Sequence, residues 1–121
     1  MENTILTAPE QCHLWSKEQF TPEDLKDNFE TVEFISEDIH DIRKVLNCKH
    51  CKHLYFYEFH DEIDWVNGHD PLYTTYIPVK TEEEIQKLKE TDYFSILKFY
   101  PRIVCDWLGN GTETVKWQGK E

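Results

Sequence analysis

The sequence predicts an α+β fold: one domain built on an antiparallel sheet of about four to six strands, with two to four short helices. Three observations lead there. At 121 residues the chain has the length of a single domain. Its middle is dense in aromatic and β-branched residues broken by a turn sequence. Two Thr-led acidic tetrapeptides, Thr21-Pro22-Glu23-Asp24 and Thr81-Glu82-Glu83-Glu84, are helix starts.

The elements follow in order. Residues 1–10 read as a lead-in to the domain, with the character of a flexible tail. Thr21 can cap a short helix, Pro22 fits its first turn, and Asp24 stands where a capping-box acid reaches back. Leu25 and Phe29, four apart, would face the core of a helix ending near Glu30. Residues 32–35 then read as a strand. The next segment supports two readings. Ser36 can cap a helix in which Ile39, Ile42, Val45 and Leu46 recur at helical spacing, or residues 41–46 form a strand in which Ile42, Lys44 and Leu46 alternate.

Leu54-Tyr55-Phe56-Tyr57-Glu58-Phe59 is apolar on both alternating faces, which suits a central strand covered on both sides. Asn67-Gly68-His69-Asp70-Pro71 is a turn, and residues 72–79 return as the second arm of an antiparallel hairpin. A helix follows from Thr81, with Ile85 and Leu88 inward. Phe94, Ile96, Leu97 and Phe99 suggest a further short helix stopped by Pro101. Residues 102–107 and 114–117 flank Gly109-Asn110-Gly111, a tight-hairpin signal at what would be a sheet edge. An edge of that kind can pair with a second copy, so monomer and homodimer are both compatible with the sequence. Trp15, Trp107 and Trp117 read as packing residues, and His40 as a surface residue.

Charge narrows the function classes. Thirteen basic against 24 acidic residues leave a formal charge of −11. Phosphates repel such a chain, which argues against autonomous nucleic-acid or anionic-membrane binding. The sequence has neither a bilayer-length apolar run nor a basic, apolar leader at its first residues, so the expected location is cytoplasmic. In that reducing setting, Cys12, Cys48, Cys51 and Cys105 are not expected to form disulfides.

The sharpest local motif is Cys48-Lys49-His50-Cys51-Lys52-His53. Two thiolates separated by two residues can grip one zinc ion at about 2.3 Å each. A closed structural site needs two more ligands. Cys12 and Cys105 lead, which would tie both ends of the chain to its middle, and His13, His50, His53 and His60 stand in reserve. The competing readings are four buried small hydrophobes, or a thiol redox pair.

Residues 54–79 contain neither Lys nor Arg. One reading makes this stretch a binding face for a basic protein, through Tyr57, Glu58, Asp61, Glu62, Asp64, Trp65 and Asp70. Small acidic immunity proteins and inhibitors of nuclease toxins share this size and charge, as an analogy only. The alternative is a metal-dependent, hydrolase-like enzyme using His60, Asp61, Glu62 and Asp64, with His69 and Asp70 nearby in sequence. On a strand, however, His60 and Glu62 share one face and Asp61 takes the other, so the acids do not obviously converge. A Gly-rich phosphate loop, a nucleophile elbow and a His-Glu-x-x-His pair are all missing from the sequence. The expected function is therefore a small acidic, zinc-stabilised protein-binding module.

Overall fold

The computed structural model describes residues 4–6, 8–10, 12–15, 21–37, 41–61, 72–107 and 113–119. In chain order the elements are β1 (Thr4–Ile5), α1 (Pro22–Lys26), β2 (Phe29–Glu37), β3 (Asp41–Cys48), β4 (Leu54–Asp61), β5 (Leu72–Val79), α2 (Glu82–Lys89), α3 (Tyr93–Ile96), β6 (Phe99–Tyr100), β7 (Arg102–Trp107) and β8 (Glu113–Gln118). Six strands form one antiparallel sheet in the order β2-β3-β4-β5-β7-β8. A separate short parallel pair joins β1 to β6, so the start of the described chain lies against the segment before Pro101.

The sheet is covered on both faces. On one, Val45, Phe56, Ile77 and Val79 pack with Ile85 and Leu88 of α2 and Ile96 of α3. On the other, Leu46, Cys48, Tyr55, Tyr76 and Ile103 pack beneath Cys12 and Leu14 of the N-terminal turn and Leu25 of α1. β4 is central, and alternate residues feed opposite cores: Phe56 goes to the helical side and Tyr55 to the other, both fully buried. That is the arrangement expected of a strand apolar on both faces.

The segment before Cys48 resolves as strand β3, not as a helix capped by Ser36. The helical spacing of Val45 and Leu46 had another cause. Both positions are buried, one in each core, so two-sided burial imitates a helical stripe. The first helix also stops sooner than its pattern suggested. α1 ends at Lys26, and Phe29 opens β2 opposite Cys48, although Leu25 and Phe29 still meet in one core. Likewise α3 is only Tyr93–Ile96, and Phe99 leaves the helix to pair with Thr4.

Both expected caps form. The Thr21 hydroxyl accepts from the Asp24 amide at 3.3 Å, while the Asp24 carboxylate accepts from the Thr21 amide at 2.8 Å. At α2 the Thr81 hydroxyl accepts from the Glu84 amide at 3.2 Å, but Glu84 reaches back to the amide of Lys80, one residue before the cap. Replacing Thr81 by Ala is expected to lower stability by about 1 kcal/mol in urea unfolding, and Thr81→Ser to retain it. Equal stability of the Ala variant and the parent would show that the cap is redundant.

Among the described residues, β2 and β8 each pair on one side only, so the C-terminal hairpin does lie at an edge. The exposed large hydrophobics among the described residues, Val32 (54%) and Phe34 (52%), both belong to β2. Register shifts between Thr31 and Glu33 and between Phe34 and Ser36 bend this strand, which disfavours indiscriminate edge pairing.

Candidate metal centre

The β3–β4 connection builds a sulfur cage. The Cys48 amide donates to the His53 carbonyl at 3.0 Å, and the Lys52 amide to the Cys48 carbonyl at 2.8 Å. Lys52 closes this knuckle at φ 65°, in the left-handed region that a non-glycine residue enters at some cost. The turn brings Cys51 back beside Cys48. The second arm is the turn at residues 12–15, where the Cys12 amide donates to the Pro9 carbonyl at 2.8 Å and the Trp15 amide to the Cys12 carbonyl at 2.9 Å. The Trp117 indole N–H holds this turn through the Leu14 carbonyl at 2.9 Å, and Trp15 sits edge-on to Trp117 at 4.9 Å.

The ligand atoms of Cys12, Cys48 and Cys51 lie within 4.8 Å of one another and could hold a metal ion. Zinc in a thiolate tetrahedron, with Zn–S near 2.3 Å, places sulfurs about 3.8 Å apart, so a small contraction brings the three to bonding distance. Their surroundings suit thiolates. Asn28 donates from Nδ2 to Cys48 Sγ at 3.3 Å, and the Tyr55 hydroxyl donates to Cys12 Sγ at 3.1 Å. Burial by itself would raise the Cys48 thiol, but hydrogen bonds from the amides of Cys51 and His50, from Asn28 and from Cys51 outweigh it and bring the thiol below its ordinary value. Cys12 is pushed up to about 12, chiefly by burial. The Tyr55 hydroxyl is also raised well above normal, first by burial and then by its neighbour Cys12, so it remains a donor at any ordinary pH. Such outer partners orient ligands and steady their charge.

Cys105, a leading candidate in the sequence, does not join this group. It lies on β7 between Thr74 and Val115, packed at the side of the same core, and its sulfur influences Tyr57 and Tyr76. The reserve imidazoles separate clearly. His13 Nδ1 is 3.8 Å from Cys48 Sγ, and His50 contacts the His13 ring edge-on at 4.6 Å. His53 sits against Tyr55, where burial lowers its pKa, Glu84 opposes that to a smaller degree and Lys80 adds to it. His60 binds the Asp41 carboxylate at 2.6 Å near the other end of β4.

Of the residues expected on the binding face, only Tyr57 and Glu58 have described side chains. Glu58 is a correction: it is 1% exposed and turned into the helical core. There it forms a two-point ion pair with Arg43, Nε to Oε2 at 3.0 Å and Nη2 to Oε1 at 2.9 Å. The Arg43 fork also donates to the carbonyls of Leu88, Lys89 and Thr91 at 3.4, 3.3 and 2.7 Å, which seats the end of α2 on the sheet. An acid facing inward was invisible until its cross-strand register with Arg43 was known. Tyr57, in contrast, is half-buried and lines a groove of about 270 Å³ with Leu25, Phe29, Lys44, Leu46 and Tyr76. The side chain of Asp61, and all of Glu62, Asp64, Trp65, His69 and Asp70, lie outside the described residues, as do His40 and the turns at 67–71 and 109–111.

No helix among the described residues is long and apolar enough to cross a membrane. Comparison with protein-family models, with curated proteins and with solved structures gives no match to this chain.

Proposed function

We propose that this protein is a zinc-stabilised binding module whose acidic, aromatic sheet edge engages a basic protein. An inhibitory or immunity-type role toward such a target is the concrete form of this reading. The observation that carries it is the composition of β2. Its exposed surface combines Val32 and Phe34 with Glu30, Glu33 and Glu37. Apolar anchors among like charges suit a partner that supplies Lys and Arg around an apolar patch. Glu33 already takes a lysine at this edge, from Lys89 at 2.7 Å, and the Lys44 ammonium lies 5.7 Å from the ring centres of both Phe34 and Tyr57. These internal contacts illustrate the chemistry a basic partner would extend.

Zinc enters this reading as the fastener of the turn at residues 12–15. The sulfur triad and the donors around it support that role. Zinc content by native mass spectrometry, with a count of free thiols, is expected to give one ion per chain and protected cysteines.

The binding half has its own test. A labelled Lys- and Arg-rich peptide carrying an aromatic residue is titrated at low and high salt. Affinity is expected to fall with salt and to fall about tenfold further in Phe34→Ser, whose side chain is half exposed. Indistinguishable titration curves for the parent and the Phe34→Ser variant would remove β2 from the proposed interface.

A further inference from the structure

The three sulfurs leave the fourth corner of a tetrahedron unassigned, and that corner decides what kind of site this is. A protein ligand there closes the site, whereas water there leaves a position at which chemistry can occur. We infer that His13 takes the fourth corner through Nδ1, giving a closed site of Cys12, His13, Cys48 and Cys51. This rests on the zinc reading above.

Among the described imidazoles, His13 has the contact with a sulfur of the group; like Cys105 it lies outside the set of ligand atoms that are all within 4.8 Å of one another, so its ring must turn toward Cys12 and Cys51 to close the site. Its Nδ1 lies 3.8 Å from Cys48 Sγ. A tetrahedral zinc with one nitrogen at about 2.0–2.1 Å and sulfur near 2.3 Å has an N···S edge of about 3.5 Å. His13 therefore stands close to coordinating distance from Cys48 Sγ. Cys105 is outside the sulfur group, beside Tyr57 and Tyr76. His60 is held by Asp41. His53 packs on Tyr55. His50 has its ring contact with His13 rather than with a sulfur.

Chain geometry gives the same assignment. Two ligands would come from the turn at 12–15 and two from the knuckle at 48–51. The first pair is adjacent in sequence, and the turn that carries it is anchored by Trp117 through Leu14. His13 is exposed, so with His13 as ligand the site would lie at the surface with the imidazole on its solvent side. A reduced site would take up Zn²⁺ with release of one proton from each thiol still protonated, while a neutral imidazole gives up no proton at its ligating nitrogen. Three thiolates around Zn²⁺ leave one net negative charge, and the exposed Lys49 and Lys52 lie in the same knuckle to offset it.

The test uses the full reduced chain loaded with Co²⁺, whose visible ligand-field bands report tetrahedral geometry and the number of sulfur ligands. Zinc affinity is measured in parallel by competition with a chromophoric chelator. The parent is expected to bind one Co²⁺ with bands of a three-sulfur, one-nitrogen site. His13→Ala should bind about 100-fold more weakly, at the upper end of what even outer-shell losses cause. His13→Cys should remain tetrahedral, with its bands shifted to the four-sulfur pattern. His50→Ala and Cys105→Ser should keep the parent spectrum. Circular dichroism of the variants separates ligand loss from misfolding. A parent that takes up no cobalt overturns the zinc reading and this assignment with it. A parent that binds while His13→Ala matches it in spectrum and affinity overturns the assignment alone, and loss of the spectrum in Cys105→Ser does the same.

Discussion

Under the zinc proposal, substituting Cys48 by Ser is expected to abolish stoichiometric zinc binding and to lower thermal stability together with it. Cys48 is the hub of the cage: it accepts from Asn28, it neighbours both other sulfurs, and it ends β3 opposite Phe29. An ion held at about a thousandfold excess over its dissociation constant contributes about 4 kcal/mol. For a chain of this length that corresponds to about 15 °C in melting temperature. Calorimetry of the parent, of the variant and of chelator-treated parent decides the matter. The treated parent should melt close to the variant. A variant that loses zinc yet melts with the parent would make the metal incidental to the fold, and one that keeps zinc would displace Cys48 from the site.

Removing the charge of Arg43 should cost about as much, for a different reason. Arg43→Met leaves the Glu58 carboxylate in the helical core without its counter-ion and removes a guanidinium donor from three carbonyls at the end of α2, of which Leu88 keeps the Thr91 amide. Breaking one side of a buried pair costs about 3–5 kcal/mol. The pH dependence identifies the mechanism. Burial already raises Glu58 above its ordinary value despite the opposing pull of Arg43. A raised carboxyl means that the fold prefers the protonated form. Its contribution is complete below the unfolded value, about 4.3, and is lost as pH rises through the higher folded value. Without Arg43 that folded value rises further. The deficit of Arg43→Met relative to the parent should therefore shrink between pH 7.5 and pH 5 in urea unfolding. Adding Glu58→Leu to Arg43→Met should recover much of the loss, because two matched apolar residues replace a broken pair. A deficit that does not change with pH would assign the damage to α2 docking alone.

Local signals in the sequence carried as far as local physics governs. Thr21 and Thr81 were legible as caps because a cap is decided within four residues. β4 was legible as a central strand because Tyr55 and Phe56, side by side, both demand burial. The closeness of Cys48 and Cys51 was legible because one turn fixes both sulfurs. What failed depended on distant pairing. The identity of β3 required knowing that its two neighbouring strands bring a core to each face. The inward turn of Glu58 required the register that sets it opposite Arg43. Choosing Cys12 but not Cys105 as a companion of the knuckle required the path of two remote segments. The exposure of Phe34 carried no signal, since an edge strand and an interior strand can share the same alternation.

The two-faced sheet also bears on how the molecule opens. Its helical side is sealed by α2, α3 and the Arg43–Glu58 pair, whereas its other side is sealed by a short turn and a five-residue helix, α1. Under the zinc reading, these are two cooperative units of unequal strength sharing one set of strands. Amide hydrogens at residues 12–15 and in α1 would then exchange at a rate set by zinc release, while those of α2 would wait for global unfolding. The ion would act as a latch on half of the molecule. Chelation would produce a half-open state, with Tyr55 and Tyr76 uncovered on a sheet that is still intact.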